Sequence, residues 1–293
     1  MSDTILAIDL GGTRFRAALA SADDPVVLRM LAEETAPQSR DVFLTRLRQL
    51  LGETGATRLG LGIPGLAQAS TCRWVPNLPY LDGLDLAEAL PGTIIGLGHD
   101  AQLALLAEST AGAAVGLSDA ILLAIGTGIG SAVLAGGRIV AGSGGAACSF
   151  GWAAADVNDL GEDRSGWLER HASGRALDAV ATTIGAASGA ALVQAARSGS
   201  ALAIETLAKP MTSLGTALAG AVALLDPAAI IFAGGVAESL DVLGPLILPA
   251  LRRQLPAHLR GIELRAGRFG AQAGLVGAAL AGARGPNWRN AHG

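Results

Sequence analysis

Apolar residues fall in short runs broken by glycine, and the spacing of those runs predicts the elements. Residues 4–9 read Thr-Ile-Leu-Ala-Ile-Asp, Gly11 and Gly12 follow, and a second run covers residues 15–20. Two apolar runs about a glycine pair predict strand, tight turn, strand. Residues 26–30 predict a third strand. Phe43, Leu44, Leu47, Leu50 and Leu51 recur at helical spacing while Arg46 and Arg48 face elsewhere, which predicts an amphipathic helix closed by Gly52. Residues 59–63 make a further strand, ended by Pro64 and Gly65. Strands first, then alternating strand and helix, indicate a mixed α/β sheet.

The order then repeats. Residues 120–125 predict a strand, 126–130 a turn, 131–134 a strand and 138–140 a third, so the chain reads as internally duplicated. Between the halves, Leu103, Leu106 and Ala107, with Glu108 on another face, predict a connecting helix over 101–114 that ends near Gly112. The boundary is expected there, with a first lobe over 1–112 and a second over 113–293. Alanine-rich helices are expected at 175–197 and 201–225, a buried strand at 229–232, and a closing helix at 271–283 that is free to return to the first lobe.

A length of 293 residues suits two cores. Hydrophobic residues make up 51% of the chain and charged ones 16%, the balance of a globular protein. No run of about 20 apolar residues stands uninterrupted, so no membrane partner is expected. Residues 1–4 lead straight into the first strand without a basic segment or a small-residue cleavage site, and the expected address is cytoplasmic. A formal net charge of −4 with no basic cluster argues against a nucleic-acid partner. Cys72 and Cys148 offer neither a disulfide framework nor a metal knuckle, and are read as reduced structural thiols.

The candidate chemistry lies in the turns. Asp9-Leu10-Gly11-Gly12-Thr13 sits between two strands, where glycine lets backbone approach a phosphate, Thr13 offers a hydroxyl and Asp9 would hold the shell of a magnesium ion. Alone, this segment is equally an ordinary hairpin. Gly126-Thr127-Gly128-Ile129-Gly130 repeats the arrangement at the matching turn of the second half, and two such loops in duplicated halves are far more specific. Gly234 and Gly235 end an apolar strand and would let a flat adenine ring lie against bare backbone. His171 and His258 are read as solvated. Trp74, Trp152 and Trp167 stand out among 3% aromatics, as core filling or as an apolar wall for a ring face.

These motifs, with Gly62-Ile63-Pro64-Gly65, Pro76-Asn77-Leu78, Asp100 with Glu108, and Leu168-Glu169 before Ala172-Ser173-Gly174, resemble the ROK family of sugar kinases and repressors. The resemblance covers nearly the whole chain. It implies an α/β fold of two actin-like (ribonuclease H-like) lobes with mixed sheets and an interlobe cleft. It further implies a homodimer that uses ATP and Mg2+ to phosphorylate a hydroxyl of a hexose or amino sugar such as glucose, N-acetylmannosamine or N-acetylglucosamine. By the same resemblance Asp100 is the catalytic base, Gly65, Asn77 and Glu169 line the sugar site, and the two glycine loops hold the triphosphate.

Three departures accompany the resemblance. His99 stands where the family has an asparagine before Asp100, and is expected to contact substrate or to hydrogen-bond close by. Ser149-Phe150-Gly151-Trp152 replaces a Glu-x-Gly-His segment, leaving Ser149 and Trp152 on the expected sugar side. Residues 160–169 lack the three cysteines of the family's zinc motif, so zinc is not expected. The competing reading is a catalytically silent sugar sensor or regulator. Against it, the first strand begins by about residue 5, which leaves no room for an N-terminal helix-turn-helix, and Asp9, Asp100 and both loops are retained.

Overall fold

Seven strands and three helices open the chain in the computed structural model, which describes residues 3–289. They are β1 (Thr4–Leu10), β2 (Arg14–Ser21), β3 (Arg29–Thr35), α1 (Arg40–Thr54), β4 (Arg58–Ile63), a small β5 (Leu66–Gln68) and β6 (Thr71–Trp74) hairpin, α2 (Leu86–Ala89), β7 (Ile94–His99) and α3 (Asp100–Ala111). The main sheet runs β3-β2-β1-β4-β7, with β1 antiparallel to β2 and parallel to β4. β1 is buried on both faces, as a sheet covered on both sides requires. Its Leu6, Ile8 and Leu10 join Phe43 and Leu47 of α1 in the core.

Three local expectations are corrected here. The third strand is 29–35, not 26–30: Pro25 lies in a turn, and β3 is an exposed edge strand held by its ladder with β2 and by the Arg14–Glu33 pair at 2.7 Å. The first helix runs past Gly52 and stops at Gly55, whose φ of 65° and N–H bonded to the Leu51 carbonyl make a left-handed cap. Glu108 is fully buried in α3 and accepts from the Ala113 N–H at 2.7 Å.

The strands of the second unit repeat the opening hairpin. β8 (Ala120–Ile125) and β9 (Ile129–Ala135) are antiparallel about a turn at 126–128; β10 (Arg138–Ile139), next in the chain, falls in the first unit. Then come α4 (Trp167–Ala172), α5 (Gly174–Thr182), α6 (Gly189–Arg197), α7 (Ala201–Leu225), β11 (Ala229–Ala233), α8 (Leu240–Arg253) and β12 (Glu263–Ala266). β11 lies parallel between β8 and β12. The helix expected at 175–197 is two helices, because Gly185 turns at φ 74° and Ser188 caps α6 through the Ala191 N–H at 3.1 Å. α7 is long and apolar enough to cross a membrane by length and composition alone, and it buries Leu207, Met211, Leu214 and Leu218 while packing along α8.

The described residues divide into two compact units, one of 3–116, 137–147 and 271–289, the other of 117–136 and 148–270. The last long helix, α9 (Ala273–Arg284), belongs to the first unit and lies on β1, β4 and β7. The approach is backbone to backbone. A Cβ on Gly60 of β4 would stand 1.7 Å from the Ala278 carbonyl oxygen, and one on Gly277 would stand 1.9 Å from the carbonyl oxygen of Leu103 in α3. Only glycine fits such contacts.

Candidate active site

In the first unit the hairpin register sets the site. Asp9, at the end of β1, stands opposite Arg16 of β2, and the two side chains form an ion pair. Arg16 Nη1 also donates to the Ala271 carbonyl at 2.7 Å, just before α9. A Cβ on Gly274, in the first turn of α9, would lie 3.2 Å from the Asp9 carboxylate, so glycine there keeps the helix start against the acid. Burial pushes the Asp9 carboxyl above the ordinary carboxylate range; Arg16 pulls it down and the charge of Asp100 adds to the rise.

Asp100 opens α3 directly after β7, with its side chain 41% exposed. His99 is the N-cap: its Nδ1 lies 3.2 Å from the Ala101 N–H and 3.2 Å from Asp100 Oδ1. Asn77 lies against the first glycine loop, since a Cβ on Gly12 would meet the Asn77 Cβ at 3.1 Å. In the turn itself the Gly11 N–H donates to the Arg14 carbonyl at 2.8 Å, and the Thr13 carbonyl accepts from Ala36 at 3.1 Å. Gly65 packs on β6, with its missing Cβ 2.3 Å from the Trp74 carbonyl oxygen. Asp9, the first glycine loop, Asn77, His99 and Asp100 therefore share one unit.

The remaining candidates share the other. Gly126 donates to the Gly128 carbonyl at 3.0 Å and accepts from the Gly174 N–H at 2.8 Å, which ties the second glycine loop to the start of α5. Glu169 of α4 faces this loop: a Cβ on Gly128 would stand 3.0 Å from Glu169 Oε1, and one on Gly151 would stand 3.3 Å from Oε2. Arg175 pairs with Glu169 Oε1 at 3.0 Å and donates from Nε to the Thr127 carbonyl at 3.3 Å. Gly234 turns at φ 73°, with its missing Cβ 2.8 Å from the Ile125 carbonyl oxygen, so the loop after β11 backs onto the strand that leads into the second glycine loop. Gly235 beside it is open. Ser131 of β9 is buried; its Oγ accepts from the Phe150 N–H at 3.0 Å and donates to the Cys148 carbonyl, fastening the stretch that carries Ser149.

Two of the aromatic and histidine readings change. His171 is half-buried rather than solvated, stacked on Trp167 with ring centroids 4.3 Å apart. Trp152 is 49% exposed and so does not serve as core filling, whereas Trp167 is buried. Among the described residues no group of three or more His, Cys, Asp and Glu side chains stands ready for a metal. The 153–166 stretch, which has no thiol, is instead tied by Arg170, whose Nη2 reaches both Asp159 oxygens at 2.7 Å and whose Nη1 reaches the Ser165 carbonyl at 2.7 Å. These residues do not fit a zinc site. Asp9 does suit magnesium, a hard cation that keeps most of its water and takes one or two carboxylates plus substrate phosphates.

Arg16, Gly274 and Arg175 were not among the expected site residues. Arg16 was readable, because pairing Leu10 with Phe15 about the glycine turn sets Asp9 opposite Arg16. Gly274 and Arg175 come to the site only through tertiary packing.

Two lobes, each opening on a β-hairpin with a glycine turn and backed by helices, are the ribonuclease H-like halves of the actin-like class. The ROK family profile matches residues 5–283, and the chain belongs to the ROK family. It is 30% identical to an N-acetylmannosamine kinase of Shigella flexneri, covering 94% of this chain and 97% of that one. It is 25% identical to a glucokinase of Thermotoga maritima, covering 94% and 96%. In fold it is similar to a ROK family glucokinase from Streptomyces griseus solved with glucose and AMPPNP, with a TM-score of 0.79 at 24% identity over 96% of this chain and 100% of that one.

Proposed function

We propose that this chain is an ATP-dependent carbohydrate kinase acting on a hydroxyl of a hexose or N-acetylated hexosamine. The observation that carries the reading is the retained pair Asp9 and Asp100, close enough that the charge of one raises the proton affinity of the other, beside Asn77 and the first glycine loop. Full-length relatives named as a glucokinase and an N-acetylmannosamine kinase support the acceptor class.

A sugar hydroxyl is a weak nucleophile, so it must be held in line with the γ-phosphorus while its proton is accepted. Asp100, half-exposed at a helix start, takes that proton as the new P–O bond forms and the bond to the bridging oxygen breaks, releasing ADP. Asn77, Gly65, His99, Ser149, Trp152 and Glu169 are assigned to the sugar. Gly11, Gly12, Thr13, Gly126, Thr127 and Gly128 are assigned to the phosphates, where the backbone N–H groups other than those of Gly11 and Gly126, which are bonded within their turns, offset the charge on oxygen. Gly234 and Gly235 are assigned to adenine. Mg2+, held by Asp9 and the triphosphate, would neutralise phosphate charge. We further propose two lobes over 1–112 and 113–293, with the closing helix returning to the first and with residues 1–2 and 290–293 outside the described residues, and a cytoplasmic homodimer, for which light scattering would give twice the chain mass.

The test is a coupled ADP-release screen over hexoses, amino sugars and polyols, with each hit checked by the mass of the phosphorylated product. A sugar-dependent signal with the expected mass supports the kinase. The altered stretch from Ser149 to Trp152 favours a second reading, a silent sensor; that reading requires sugar binding with no turnover.

A further inference from the structure

Arg175 lies between two parts of the proposed site that belong to the same unit. On one side its Nη2 holds Glu169 Oε1 at 3.0 Å; on the other its Nε reaches the Thr127 carbonyl at 3.3 Å, in the middle of the second glycine loop. The loop is itself fixed to the helix that carries Arg175, because the Gly174 N–H bonds to the Gly126 carbonyl at 2.8 Å. The guanidinium therefore cannot drift from the loop by more than its own side-chain flexibility. It is also accessible: the side chain is 65% exposed, and among the described residues Nη1 has no protein partner.

Pairing with Glu169 serves the carboxylate, but it uses only one of the five donors of a guanidinium. An anion seated against the Thr127 and Gly128 backbone, the Gly126 N–H being spent on the Gly128 carbonyl, would come within reach of the remaining donors. A planar fork matches phosphate oxygens geometrically as well as electrically. From this we infer that Arg175 is a further catalytic residue, which binds the terminal phosphoryl group of the nucleotide while keeping Glu169 aimed. The inference rests on the kinase reading above and deepens it. One cation would then connect the sugar-holding acid to the group that the sugar oxygen attacks.

The experiment compares wild type, Arg175→Ala and Arg175→Lys in two measurements. Calorimetric titration with a non-hydrolysable ATP analogue and with ADP needs no knowledge of the sugar. Arg175→Ala should lose about tenfold or more in affinity for the triphosphate analogue, with ADP affinity held within twofold. In turnover with the sugar identified by the screen, kcat should fall about 10²-fold while the KM for sugar stays within threefold, and Arg175→Lys should recover only part of it. If instead the sugar KM rises and triphosphate affinity is unchanged, Arg175 only positions Glu169 and the inference is overturned. If wild type phosphorylates no sugar, the kinase reading fails, and the nucleotide titration still decides Arg175. A wild type that binds neither nucleotide overturns both.

Discussion

Replacing Gly60 with alanine should be among the most damaging single-methyl changes in this chain. The added Cβ would lie 1.7 Å from the Ala278 oxygen and 2.5 Å from its carbonyl carbon, so β4 and α9 must part by at least about 1 Å. Neither partner is a side chain that can rotate away; both are backbone held in a ladder and a helix. Overpacking of a well-packed interior costs about 1–3 kcal/mol, and a backbone clash belongs at the upper end. At about 2–4 °C per kcal/mol for units of this size, the melting temperature should drop by roughly 6–12 °C. Gly52→Ala is the matched control: the same methyl, in an exposed turn of α1 with nothing within 4 Å, should stabilise by about 0.5–1 kcal/mol. Urea unfolding of both variants followed by circular dichroism gives the two values. If Gly60→Ala unfolds within 0.5 kcal/mol of wild type, α9 does not sit on the sheet as described.

Asp100→Ala should lower turnover by about 10²–10⁴-fold while nucleotide affinity is kept, and turnover within threefold of wild type would remove Asp100 from the role of base. Glu169→Gln should weaken sugar binding by about 1.5–3 kcal/mol in calorimetry, with ADP affinity unchanged; equal sugar affinity would refute the contact. For Asp9 the sign follows from its raised pKa: the folded state binds this proton more tightly than the unfolded chain, so its stabilising contribution is full below the ordinary value of 3.8 and is lost as pH rises through the higher folded value. Asp9→Asn, which does not titrate and still offers Arg16 an oxygen, should therefore gain stability relative to wild type as pH rises from about 4 towards neutral, while losing activity. A stability difference that stays flat with pH would mean that Asp9 is not raised.

β1, β8 and β11 were legible because each carries an unbroken apolar run followed by glycine or a carboxylate, and β2 and β4 because Phe15, Ala17 to Ala20 and Leu59, Leu61, Ile63 mark them despite Arg16, Gly60 and Gly62. β7 was not. Its Gly96 and Gly98 look like breakers in the sequence, yet they are there because α9 and Trp288 crowd that face: their missing Cβ atoms would lie 2.2 Å from the Ala281 carbonyl oxygen and 2.6 Å from the Trp288 ring. α8 hid behind Pro245 and Pro249, each costing about 3 kcal/mol in a helix interior, a penalty overridden by the burial of Leu243, Ile247 and Leu251 against neighbours that include α7. In the site, turns and acids announced themselves by residue type. The partners that hold the acids, Arg16 and Arg175, are ordinary surface-looking arginines until register and packing bring them beside Asp9 and Glu169.

The return of α9 to the first unit has a consequence for how the protein is made. A ribosome releases β1, β4 and β7 early, but the helix that covers them is encoded after residue 272, behind the whole of the second unit. Until then a glycine-lined sheet face waits uncovered, while the second unit already has all of its own strands and helices. The intervening unit can thus mature first on the nascent chain, and the first unit closes last. A stop codon just before residue 273 would remove a whole layer of the structure, because α9 would be lost. Changes to α9 are accordingly a matter for the core of the enzyme, not for its margin.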